Sequence, residues 1–266
     1  MISRWLLRVL GFGYVAFLVG IPVGAVVWRA LAPGIGSAWD AVDNSAGIHA
    51  LELTLETAAI AVTLNTLFGV TVALILARHR FPGASIVGML VDLPLSLSPI
   101  VVGLALTLFY SSREGWIGGW LTGRGIEVIF AFPGIVLASA FVSLPYVVRE
   151  VLPVLQELGT DSERAAETLG AGPFTVFFRI TLPAIRWGLA YGVLLTTARI
   201  LGEFGAMSVV SGDVVGETQT FTQFVAADFT NYDAAGAYAG ALVLGLISLV
   251  ILAALSVTRS RGERSQ

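Results

Sequence analysis

The chain has no cysteine and no lysine, and it carries little charge. Without cysteine there is no disulfide framework and no thiolate metal site. All 15 basic residues are therefore arginines. A P-loop needs a lysine to reach the β- and γ-phosphates, so the chain does not hydrolyse ATP by that route. A lysine Schiff base is excluded as well. Charged residues make up 12% of the 266 residues, against about a quarter in an ordinary soluble domain. The two histidines, His49 and His79, fall near opposite ends of the first long apolar stretch that follows the N-terminal one, and nothing pairs them into a metal site. There is no nucleophile elbow, zinc spacing or dinucleotide loop, so neither an enzyme nor a cofactor is expected, and no nucleic-acid partner.

What is present is hydrophobic: 56% of the residues, a balance that calls for lipid as solvent. A membrane-crossing helix needs about 20 mostly apolar residues. Runs of that kind between charges predict six spans, at about 9–28, 57–77, 93–112, 128–148, 187–210 and 234–258. Backbone in lipid must satisfy its own hydrogen bonds, so the spans are helices and the protein is an all-α, polytopic, single-domain membrane protein over 1–266. The first run has a basic start and an Ala30-Leu31-Ala32 triplet, as a signal peptide has. It is longer than an h-region of about 7–15 residues, and Pro33 would follow the cleavage site, so it reads as a span. With the N-terminus inside, the inner segments hold eleven arginines and the outer ones Arg29, Arg113 and Arg124. This places both termini in the cytoplasm. Trp116 and Trp120 read as interface anchors. Gly20-x-x-x-Gly24 and Gly236-x-x-x-Gly240 suit close helix approach, within the chain or across a dimer. Pro94 and Pro99 interrupt the third span, which points equally to a simple kink or to the translocation path, with Ser98 and Pro99 as candidate lining.

The inner connection over 149–186 is far longer than the usual loop of about 4–6 residues. Thr160 and Glu163 have capping-box spacing. Ala165, Ala166 and Leu169 share a small apolar face, and Gly170 and Gly172 supply a stop. Pro173 opens a second helix with Phe174, Phe177 and Phe178 as an aromatic stripe, and Pro183 is expected to end it. A face meant for lipid favours large residues. Alanines favour close docking on protein, so the elbow reads as a plug for a partner's groove.

These residues carry a resemblance. Ala165-Ala166-x-x-x-Gly170, nine residues, then Ile180-x-Leu182-Pro183 resembles the signature loop of ABC importer permeases. The usual motif places a glutamate where this chain has Arg164, with Glu163 before it and Glu167 after it. The similarity covers roughly residues 50–258. Ala77-Arg78-His79-Arg80-Phe81-Pro82-Gly83 resembles the sulfate-type permeases, Ala198-Arg199-Ile200-Leu201-Gly202-Glu203-Phe204-Gly205-Ala206 resembles a block shared by sulfate and molybdate permeases, and Met207-Ser208-Val209-Val210-Ser211-Gly212 is closer to the sulfate type. The resemblance implies a type I importer permease fold with a cytoplasmic coupling helix in a bacterial inner membrane. It implies a heterodimer with a second permease subunit, two ATPase subunits and a periplasmic sulfate-binding protein. The coupling residues would be Glu163, Arg164, Ala165, Ala166, Glu167, Leu169, Gly170, Ile180, Leu182 and Pro183. The expected cargo is sulfate or thiosulfate, moved inward by ATP-driven alternating access. A molybdate or tungstate permease, an ATPase-independent secondary anion transporter and a structural assembly subunit are the alternatives.

Arg199 and Glu203 lie inside the fifth expected span. Charges there face a bundle interior and mark function by default. A self-neutralising i,i+4 pair and a transient counter-charge for an oxyanion are weighed equally.

Overall fold

A computed structural model describes residues 4–113 and 115–263, which are helical with no strand among them. The side chains of Arg4, Arg259 and Arg261 and all of Arg264, four of the inward arginines, lie outside the described residues. Four helices are long and apolar enough to cross a membrane: Arg8–Leu31, Ser45–Arg78, Phe132–Leu158 and Ala234–Thr258. Counting one bent pair raises this to five, not the six expected. The 20-residue helix Leu182–Leu201, interrupted by Arg186 and Arg199, is not among them.

Three expected boundaries are corrected. The stretch 93–112 is not one helix: Ala84–Ser96 and Pro99–Tyr110 meet at 112°. Pro99 lacks the N–H that a continuous helix would use and instead starts the second segment. The helix in 187–210 stops at Leu201, and Met207–Val210 is a separate turn. Glu203 bends the chain by spending its carboxylate on the Ala206 N–H at 2.7 Å. The long inner connection does not begin at Arg149, because helix Phe132–Leu158 continues past that charge. Val151 and Leu155 are fully buried and keep its apolar face going for almost three turns.

The 45–78 helix packs on the 132–158 helix, which also takes the 182–201 helix on another side. Closeness is built in at Gly69, where a Cβ would stand 2.7 Å from that of Val147. Beside it the Asn65 amide donates to Ala140 O at 2.9 Å and to Ser143 Oγ at 2.8 Å, a bond worth about 0.6 kcal/mol between membrane helices. Gly240 packs closely against Val225, whereas Gly20 and Gly24 face open space within the chain. The N-terminal helix buries none of its most apolar window and touches the bundle through the 234–263 helix.

Candidate coupling elbow and translocation path

Gly159 ends the 132–158 helix, and the chain turns into the short helix Asp161–Thr168. Asp161 and Glu163 in its first turn favour the positive helix end. The expected capping box does not form: Thr160 makes no side-chain cap. Glu163 has left for a stronger partner. Its Oε1 accepts from Arg78 Nη2 at 3.2 Å, and its Oε2 stands 2.9 Å from Arg78 Nε as an ion pair. Thr181 Oγ1 donates to the same Oε1 at 2.7 Å, and Arg78 Nη1 donates to Leu155 O at 2.8 Å. The paired side chains are only 14% and 16% exposed.

The short helix closes as a Schellman motif. Ala171 N–H reaches Ala166 O at 3.0 Å and Gly170 N–H reaches Glu167 O at 2.9 Å. Gly170 carries the φ of +87° that this requires. Leu169 and Phe174 flank the turn with 89% and 82% of their surface exposed. Arg164, Ala165 and Glu167 also face outward, while Ala166 is half-buried.

The second helix does not end at Pro183. A π-turn over Phe177–Thr181 lets Leu182 N–H reach back to Phe177 O, and the helix continues to Leu201. A widened turn takes the proline without a break. Phe177 and Leu182 pack on a core of Val147, Val148, Val151, Leu155 and Ile185. Ile180 is half-buried and Pro183 exposed. The aromatic stripe is thus split: Phe177 turns inward, and Phe174 and Phe178 outward.

Towards the other end of the bundle, Arg199 Nη1 meets Glu203 Oε2 at 2.5 Å. The Glu203 side chain is 2% exposed, its other oxygen is held by Ala206 N–H, and its backbone carbonyl accepts from Thr222 Oγ1 at 2.8 Å. Arg199 is 27% exposed, and its remaining N–H groups meet no acceptor among the described residues. Pro99 lies against Gly205, so the two breaks of 97–98 and 202–206 are neighbours. Ser98 is exposed at the first break. A hub beside them has Gln223 accepting from Thr220 N–H at 3.0 Å and donating to Ser211 Oγ at 2.8 Å and to Met207 O at 3.3 Å. The spacing Thr220-x-x-Gln223 is a readable capping box. Arg78 and Thr181 carried no local signal, because their partner Glu163 lies 85 and 18 residues away.

Residues 66–261 match the family model described as binding-protein-dependent transport system inner membrane component. The chain belongs to this family. It is 44% identical to the sulfate transport system permease protein CysW of Synechocystis, over 97% of this chain and 93% of that one. It is 36% identical to the sulfate transport system permease protein CysT of Escherichia coli K12, over 94% and 90%. Its fold is similar to a chain in the crystal structure of a bacterial alginate ABC transporter bound to a periplasmic protein. That likeness has a TM-score of 0.79 at 18% identity, covering 97% and 95% of the two chains. As a member of the family, this permease is a multi-pass inner-membrane component of an ABC transporter with the type I permease fold.

Proposed function

We propose that this permease carries sulfate, or thiosulfate, from periplasm to cytoplasm as one half of a heterodimeric pore. Its relatives of both permease types, CysW and CysT, are named for sulfate transport. Two ATPase subunits supply the energy, since this chain has no lysine with which to build a P-loop. A periplasmic binding protein delivers the anion. The observation that carries the reading is the elbow: Leu169 and Phe174 stand exposed on a turn whose base is tied to the bundle. Exposed apolar side chains on an ordered turn fit a partner's groove.

In this reading the 182–201 helix is the fifth crossing and the bent pair the third, giving six, with both termini in the cytoplasm. Nucleotide binding in the ATPases favours one of two access states and hydrolysis the other. Arg199 supplies a counter-charge beside the path, with Glu203 holding its fork in place and Ser98 and Pro99 at the adjoining break. A dianion leaving water needs such compensation, and a guanidinium fork matches an oxyanion's geometry.

The test is labelled sulfate uptake in a strain lacking this chain, with and without the gene restored. Restoration should recover uptake that excess sulfate or thiosulfate suppresses and molybdate leaves intact. Uptake indifferent to the deletion rejects the proposal, and suppression by molybdate at lower concentration than by unlabelled sulfate reassigns the cargo.

A further inference from the structure

The elbow helix Asp161–Thr168 buries none of its own residues. Apolar packing of this helix is limited to the half-buried Ala166. Its ends run through Gly159 and Gly170, both at positive φ, which makes poor levers of the backbone connections. The one of its side chains with a recorded polar bond to the bundle is Glu163, which grips Arg78 with both oxygens and Thr181 with one.

Arg78 is the last residue of a 34-residue helix, about 50 Å long at about 1.5 Å per residue. Towards the far end of that helix Thr54 Oγ1 accepts the Phe221 N–H at 2.9 Å. The next residue, Thr222, donates to Glu203 O, and Glu203 holds Arg199. A continuous run of bonds and one rigid rod thus joins the elbow to the candidate path. The other anchor points the same way. Thr181 closes the π-turn, and such turns collect at functional sites.

We propose that Arg78, Glu163 and Thr181 form a latch through which the elbow drives the 45–78 helix as a lever, setting how much cargo crosses per ATP. Glu163 is then a positioning residue inside the permease, and the docking face is left to Arg164, Glu167, Leu169 and Phe174. The latch rests on the elbow being the ATPase-coupling element.

The experiment uses the whole transporter in proteoliposomes, with the permease pair, ATPases and binding protein, and reads labelled sulfate entering per ATP hydrolysed. A Leu169→Cys probe reports elbow docking by crosslinking to the ATPase. Glu163→Gln should keep assembly, the crosslink and ATP hydrolysis, while sulfate per ATP falls about fivefold, the size of an ordinary pairwise coupling. Thr181→Val, which loses a single bond, should lower the ratio less. The exchange Arg78→Glu with Glu163→Arg restores the ion pair without the bonds to Leu155 O and Thr181, so it should recover part of the lost sulfate per ATP. An unchanged ratio in Glu163→Gln overturns the latch, as does an exchange no better than the single variant. Should Glu163→Gln fail to assemble, Thr181→Val decides: an unchanged ratio overturns the latch and a lowered one supports it. Failure of the Leu169→Cys probe to crosslink in otherwise native protein overturns the coupling reading itself.

Discussion

At the elbow, Leu169 and Phe174 put bare apolar surface into the open on the turn after a helix with no buried residue, held by one ionic knot at its base. In the 202–223 segment the reverse holds. Glu203, Ser211, Thr220 and Gln223 are buried polar groups, each with a hydrogen-bond partner. The elbow leaves its energy uncollected until another protein arrives. The 202–223 segment is already satisfied and serves as a frame around two broken helices. An unpaired buried polar group costs about 1–3 kcal/mol, which explains why Glu203, Ser211, Thr220 and Gln223 are all paired. Exposed apolar side chains carry no such penalty for the lone chain.

The sharpest way to break this contrast is Glu203→Leu. It strands Arg199 in a partly buried site and frees the Ala206 N–H. Removing one partner of a buried pair costs about 3–5 kcal/mol. Thermal unfolding in detergent should show a large loss, with reduced yield. Wild-type stability in this variant would mean that the 202–223 segment is not a frame.

Gly170→Val comes next. No atom lies within 4 Å of where its Cβ would sit, so the cost is conformational and not a clash. Holding φ near +87° with a β-branched residue costs about 1–2 kcal/mol. The permease should still insert in the membrane, and ATP-driven uptake should be lost. Full uptake would show that the turn's geometry is not what the partner reads.

Leu169→Ser combined with Phe174→Ser should change the stability of the isolated chain by less than about 0.5 kcal/mol, as for surface positions generally. Copurification with the ATPase subunits should nevertheless weaken. A marked drop in melting temperature, with association intact, would place these side chains in the frame class.

How much of this was readable beforehand follows from the range of each signal. The long apolar helices were visible because hydropathy is local. The alanine–glycine turn was visible because a Schellman motif is set by a few adjacent residues. A break at Pro99 is legible from the proline, but its 112° is not, because a proline marks a weak point and neighbours decide the angle. Pro183 misled: a π-turn ahead of it absorbed the missing donor, and propensity alone does not predict that. Charge also misled at Arg149, which pairs with Asp92 on the surface at 2.8 Å while the helix continues underneath. The glycine repeats divided by context: Gly240 has a partner helix within the chain and Gly20 has none. Arg78 was out of reach, since nothing in its own neighbourhood names an acid 85 residues later.

The smallest expected effect sharpens the picture of the same end of the bundle as Glu203. Asp228 lies just after the Gln223 hub, and its carboxyl is pushed above its ordinary value by burial and then by the nearby Asp233. Both carboxylates converge on Gly236, where a Cβ would collide with Asp228 Oδ2. The folded state therefore keeps a proton that the unfolded chain has already lost, so it binds more protons across that window. Stability must then fall as pH rises from the ordinary aspartate range through the raised one. Asp228→Asn is neutral throughout and lacks this contribution, so its melting temperature should decline less over the same pH steps. Identical slopes would mean that Asp228 holds no such proton in the folded state. A steeper slope in the variant would mean that Asp228 is stabilised as an anion.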